Sequence, residues 1–230
     1  MRIICPLGPC VSFEKRDKFL EALLDIADVT WVSEPKTLAY AWFTSAGNNG
    51  EIPDHWVRGI EVYEDADAHL LIHRSSSSYK RMKDLVNTTG IFEQPSALNI
   101  LRPCGIGFMS RQGADIFQRC LGSQLIVVRE YAELKERKED VLNTLRQVAS
   151  HANLQELEFT LSFWVLEPDT NGSNDEIIVF SRFADHNAHQ YHCNTTVARD
   201  LQALEKHLIN PPRVTHWSEH RIGFINREDI

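Results

Sequence analysis

Two stretches of this chain repeat one another in the same order. Ile106-Gly107-Phe108-Met109-Ser110-Arg111 returns at the far end as Ile222-Gly223-Phe224-Ile225-Asn226-Arg227. Upstream of the first copy stand Tyr63, Asp65, Ala68 and His73, and upstream of the second stand Phe183, Asp185, Ala188 and His192. Two echoes in one order imply duplication of a unit of about 110 residues, hence two similar domains rather than a solenoid with its repeats of roughly 20–50. The expected domains are 1–111 and 124–230, joined by a connector over 112–123 in which Ala114 to Cys120 reads as a short helix.

Each half follows one plan. Ile3 to Leu7 is a short apolar run, and Phe13, Phe19, Leu20, Leu23, Leu24 and Ala27 then recur at helical spacing behind Ser12, a fitting cap. Leu38, Tyr40 and Trp42 alternate with smaller residues as in a half-buried strand, Gly47 to Gly50 is a loop, and Trp56 to Tyr63 returns. Asp65 suits the cap of a helix through His69, His73, Met82 and Leu85, and Leu98 to Arg111 closes the unit as a strand interrupted at Pro103. In the second half Leu125 to Tyr131, Val141 to Val148, Phe159 to Val165, the polar loop Asp169 to Asp175, Ile177 to Phe183, the helix behind Asp185 and Val214 to Asn226 take the same places. The order βαββαβ is that of a ferredoxin-like split unit. Helices cover one face of such a sheet and leave the other needing a partner. The expected fold is therefore α+β: two tandem ferredoxin-like units packed sheet to sheet, with an apolar pocket between the open faces.

Composition removes several function classes. A net charge of −8 with no cluster of Lys and Arg argues against nucleic-acid binding. No apolar run reaches membrane-spanning length, and Met1 to Pro6 breaks too early for a secretory leader, so a cytoplasmic protein without membrane association is expected. The five scattered cysteines form no CxxC pair and read as reduced thiols. Walker A, GxGxxG and GxSxG motifs are all absent, so no cofactor is called for.

Glu34-Pro35-Lys36-Thr37-Leu38-Ala39-Tyr40, followed by Tyr63, Asp65, Ala68 and His73, resembles the antibiotic biosynthesis monooxygenase domains of the dimeric α/β-barrel superfamily. The second copy keeps Phe183 to His192, while its entry element reduces to Glu156-Leu157-Glu158 and the first copy spaces Tyr63 from His73 by one residue more. The fused form is similar to tandem proteins of fungal secondary metabolism, in which two halves stand in for a homodimer. The resemblance implies an intramolecular dimeric barrel, a monomeric pseudo-dimer whose further pairing stays open. It also implies a cofactor-independent monooxygenase that oxidises a phenolic or polyketide-derived aromatic molecule with molecular oxygen. The same pocket chemistry would serve a cyclase, dehydratase or decarboxylase, and a non-catalytic small-molecule-binding barrel is the reading from another class.

His73 and His192 are the candidate catalytic groups, since histidine exchanges protons near neutrality; the alternative is that each only packs helix against sheet. His69 and His189 share their helix faces. Tyr40, Trp42, Tyr63, Trp164, Arg182 and His189 are candidate substrate-binding residues. Arg182 and Phe183 point to opposite faces, so only one can meet the pocket, and an outward, solvated Arg182 is the expectation. His189, His192, Cys193, His216 and His220 raise a metal reading, which lacks the diagnostic spacing of a metal motif and is set aside.

Overall fold

The first helix begins where its cap implies, with the Ser12 hydroxyl accepting from the Lys15 N–H at 3.3 Å. A computed structural model describes residues 1–47, 49–50, 52–96, 98, 100–111, 115–116, 124–169 and 175–227. In chain order the elements are β1 (Arg2–Ile4), β2 (Leu7–Gly8), α1 (Phe13–Ser33), β3 (Thr37–Ser45), β4 (Val57–Tyr63), a π-helical turn (Ala68–Ile72), a 3-10 turn (His73–Ser75), α2 (Ser77–Thr89), β5 (Ile100–Phe108) and β6 (Asp115–Ile116). There follow β7 (Leu125–Tyr131), α3 (Lys138–Gln155), β8 (Thr160–Pro168), β9 (Ile177–Phe183), α4 (His186–Cys193), α5 (Thr196–Glu205) and β10 (Arg213–Ile225). The fold is α+β with antiparallel strand pairs.

Contacts divide the chain into two compact units. Unit 1 is Met1–Leu101, Gln112–Gly122 and Trp217–Ile230; unit 2 is Arg102–Arg111 and Ser123–His216. The units therefore do not follow the expected 1–111 and 124–230, because β5 leaves unit 1 after Leu101 and β10 enters it at Trp217. In unit 1, β4 lies between β1 and β3, with the start of β5 beside β1 and the end of β10 beside β3. Phe19 and Leu23 of α1 pack on Tyr40 and Trp42 of β3, and Met82 and Val86 of α2 join them. In unit 2, β9 lies between β7 and β8, with the end of β5 beside β8 and the start of β10 beside β7. Leu145 and Val148 of α3 and Leu201 of α5 cover Phe163 and Val165.

The repeated hexapeptide does two jobs. Gly107 and Gly223 have φ of +86° and +92°, and a Cβ on either would run into the carbonyl oxygen of Phe163 or Tyr40. Glycine is required where one strand presses this closely on another in a left-handed conformation. The arginine that ends each copy then binds the end of a helix in the same unit. Arg227 Nη2 donates to the Thr30 carbonyl at 2.7 Å, and its guanidinium lies over Trp31 and Phe224. Arg111 donates to the carbonyls of Ala152 and Asn153 and lies over Phe108. A cation there adds a second donor to carbonyls of the last turn and meets the negative end of the helix.

Several expectations change. The helix from Asp65 is three pieces, because Ser76 is extended (φ −61°, ψ 150°) and caps α2 by accepting from the Tyr79 N–H at 3.2 Å. β5 runs through Pro103, which lies past Leu101, the last residue paired with β1, so no bond to that strand is lost. Ala39 to Phe43 of β3 are buried on both faces rather than one. Asp115–Ile116 is strand where a helix was expected, and the rest of 112–123 lies outside the described residues, as do Asn48 and 170–174 of the two polar loops. Among the described residues no helix is long and apolar enough to cross a membrane.

Candidate functional site

A one-residue difference between the copies is absorbed by the π-helical turn at Ala68–Ile72. A π turn accommodates one extra residue without moving what flanks it. Asp65 caps the first copy by accepting from the Ala68 N–H at 2.7 Å, and Asp185 the second from Ala188 at 2.8 Å. His69 still lies on Tyr63 (ring centroids 4.8 Å apart) as His189 lies on Phe183 (4.9 Å). His73 and His192 likewise reach equivalent places, with 1% and 5% of their surface exposed.

Each of these inner histidines binds a buried glutamate. His73 Nδ1 is 2.9 Å from Glu34 Oε2, to which the Thr37 hydroxyl donates at 3.2 Å. His192 Nδ1 is 2.9 Å from Glu156 Oε2, and the Thr160 hydroxyl donates to the same oxygen. Burial pulls the Glu156 carboxyl upward, but the His192 hydrogen bond and charge and the Thr160 hydroxyl hold it below the usual range. The His73 ring is packed among Tyr40, Tyr63 and Tyr79, each 5.3 Å away between centroids, and its Nε2 is buried without a hydrogen-bond partner.

Beside this cluster unit 1 holds a cavity of about 350 Å³ between β-sheet and helices. Phe19, Trp42, Met82, Val86 and Phe92 belong to its apolar wall; Glu61, His69, Arg74, Tyr79, Lys83 and Asn87 are among its polar groups. Gly59 leaves room for Trp42, since a Cβ there would come within 2.9 Å of the indole. Alternation along β4 turns Glu61 and Tyr63 to the helix side, and the Tyr63 hydroxyl donates to Glu61 Oε2 at 2.9 Å. Burial raises the Glu61 carboxyl above the ordinary range, with His73 and the Tyr63 hydroxyl acting against it. Burial lowers His69 to about 4, helped by the charges of Arg2, His73 and Arg74, and its Nδ1 has no partner. Tyr40 and Tyr63 are pushed far up, chiefly by burial and then by Glu61.

The matching place in unit 2 holds only about 10 Å³. Strand registers show why. Ile4 faces Glu61 as Val127 faces Ser181, so Pro6 and Gly8 correspond to Arg129 and Tyr131. Counting from the caps Ser76 and Thr195, Tyr79 and Val86 correspond to Ala198 and Glu205. Glu205 takes the Tyr131 hydroxyl and the Arg129 guanidinium (3.2 Å), and the three side chains occupy the space left open in unit 1.

The predicted residues thus fall into three groups. Tyr40 and Trp42 line the unit 1 cavity, with Tyr63 and His73 directly behind. His189 and His192 adjoin the closed unit 2 site, where His189 Nε2 is 3.3 Å from the Cys193 thiol. Trp164 and Arg182 lie on the opposite face of the unit 2 sheet. Arg182 is not solvated as expected: it is 1% exposed and its Nε donates to Ser162 at 2.9 Å. Its strand is buried on both faces, so the face away from the helices offers no water. Cavity residues passed over in the sequence include Glu61, His69 as a wall residue, and Arg74; the spacing Gly59-x-Glu61-x-Tyr63 was the available sign. Among the described residues no group of three His, Cys, Asp or Glu is placed to hold a metal ion.

No family model and no curated protein sequence matches this chain. Solved structures do share its fold. A candidate monooxygenase of Fusobacterium nucleatum aligns over 100% of this chain and 96% of its own, with a TM-score of 0.78 and 14% identity. One from Lactobacillus acidophilus aligns over 100% and 98%, with 0.71 and 12%. An anthrone oxidase-like protein aligns over 99% and 94%, with 0.60 and 9%. At these identities the likeness is one of fold.

Proposed function

We propose that this chain is a monooxygenase of the antibiotic biosynthesis type, in which two ferredoxin-like units descend from one ancestor and unit 1 alone turns over substrate. The observation that carries this reading is the unit 1 cavity. Its volume lies in the range of small-molecule sites, its wall is aromatic, and buried proton-exchanging groups stand against it. The substrate would be a flat, electron-rich phenolic or polyketide-derived ring system, held against Trp42 and Phe19. Its oxidation needs no bound cofactor. Loss of a proton from an activated CH2 gives a carbanion, which passes its electrons to O2 and forms a hydroperoxide. Loss of water leaves a ketone, so one O2 is consumed and one water released. An apolar, closed site favours the step by keeping water from the carbanion. The candidate monooxygenases and the anthrone oxidase-like protein that share the fold support this class of chemistry.

Anthrone is a suitable probe. The expected result is oxygen uptake equal to the ketone formed, abolished by Trp42→Ala and retained by Arg129→Ala. Conversion without oxygen consumption would replace this reading with a cyclase, dehydratase or decarboxylase. Quenching of tryptophan fluorescence without any conversion would leave a binding protein.

A further inference from the structure

We propose that Glu61 is the residue that takes the substrate's proton, with Tyr63 holding it in place and the two buried His–Glu pairs serving as scaffold. This rests on the reading of unit 1 as the working site and names the base within it. Three observations converge. Glu61 lines the cavity, and its Oε2 is engaged by the Tyr63 hydroxyl while Oε1 accepts no hydrogen bond from the described residues and is left to a ligand. His73, by contrast, spends its Nδ1 on Glu34 and does not border the cavity. The comparison between units then separates the two roles. The pair His73–Glu34 recurs as His192–Glu156 in unit 2, where the matching cavity holds only about 10 Å³, whereas the position of Glu61 is Ser181 there and that of Tyr63 is Phe183.

The groups around Glu61 suit a base. Tyr63 comes from its own strand, Tyr40 from β3, His69 from the π turn, His73 and Arg74 from the 3-10 turn, and Tyr79 from α2. Behind His73 stands Glu34, whose negative charge opposes ionisation of Glu61. A carboxylate in this setting grips a proton more firmly than one in water. In the step itself the substrate O–H or C–H bond breaks, a carboxyl O–H bond forms on Glu61, and the electron pair stays on the substrate beside Arg74.

The test uses the whole chain and two probes of one shape, 1-naphthol and 1-methoxynaphthalene, followed by tryptophan fluorescence. Wild type should bind naphthol about tenfold more tightly, as expected for one hydrogen bond to a charged group. Glu61→Gln, whose amide oxygen is only a neutral acceptor, should cut the preference severalfold and leave methoxynaphthalene binding unchanged, and Tyr63→Phe should weaken it. In anaerobic D2O, Glu61→Gln should slow deuterium entry into anthrone by about 100-fold or more and remove the acid limb of its pH profile. An undiminished preference, or a pH limb that survives in Glu61→Gln, overturns the assignment while the cavity reading stands. Wild type that binds neither naphthalene overturns both.

Discussion

Replacing His192 by alanine isolates what the buried His–Glu pair does, because no cavity of useful size adjoins it. The ring is 5% exposed, packs on Phe183 and Phe163 at 5.0 and 5.9 Å, and holds Glu156, which is wholly buried. Removing one partner of a buried pair leaves an uncompensated charge and costs about 3–5 kcal/mol. His151 Nε2 lies 3.7 Å from Glu156 Oε1 and can take up part of that charge, so the lower end, about 3 kcal/mol, is expected. Among the described residues Glu34 forms an ion pair with His73 alone, so His73→Ala should fall nearer about 5 kcal/mol. For a chain of this size those figures correspond to melting points lowered by roughly 6–20 °C. Adding Glu34→Gln to His73→Ala removes the stranded carboxylate and should recover about 1–3 kcal/mol of the loss. Thermal and urea unfolding of the three variants read these values. Losses under about 1 kcal/mol in both single variants, with anthrone turnover destroyed only in His73→Ala, would refute the scaffold argument and return the catalytic role to His73.

Gly107→Ala and Gly223→Ala should each destabilise the protein by at least about 2 kcal/mol, since a positive φ and a collision with a neighbouring carbonyl add together; a melting point within about 2 °C of wild type would contradict this. Stability should also fall below about pH 6. His69 and His189 are each lowered from 6.5 to about 4, chiefly by burial, so both are neutral in the folded chain and take up protons on unfolding. Their contribution is full above the unfolded value and is lost as pH falls through the folded one, at about 1–2 kcal/mol each after allowance for solvent screening. Urea titrations between pH 7 and pH 4 check it, and His69→Phe should flatten the curve.

Much of the fold could be read from periodicity and caps. Ser12, Asp65 and Asp185 cap where their side chains and spacing implied, and β3, β4, β8 and β9 lie where their apolar runs placed them. The echo of Ile-Gly-Phe and Arg was visible as a repeat, but its meaning was not. A glycine at positive φ and an arginine on a helix end are decided by which backbone comes near, and that is a tertiary fact. The break at Ser76 was hidden because serine suits both a polar helix face and a cap. Glu34 and Glu156 stood inside the recognised entry motif, yet only the fold brings them to histidines 39 and 36 residues away. Glu61 escaped notice for a different reason. A single acid in a strand ordinarily faces water, and the partial shielding of Glu61 depends on helices contributed from elsewhere in the chain.

The difference between the units follows from a few substitutions at matched positions, which makes it a matter of volume and charge rather than of fold. Unit 1 keeps small or short groups at Pro6 and Gly8 and an apolar Val86 opposite them. Unit 2 places Arg129, Tyr131 and Glu205 there, and each is long enough to reach the others. The ion pair is self-satisfying, so it fills the space without leaving an unpaired charge. The scaffold beneath is the same in both units: capped helix, outer histidine on an aromatic ring, inner histidine on a glutamate held by a threonine. Selection for folding alone would preserve that shared layer in both copies. What is present only in unit 1, namely the open cavity, Trp42 over Gly59 and the Glu61–Tyr63 pair, is what folding does not require. Those residues are therefore the ones to which a chemical role is most economically assigned.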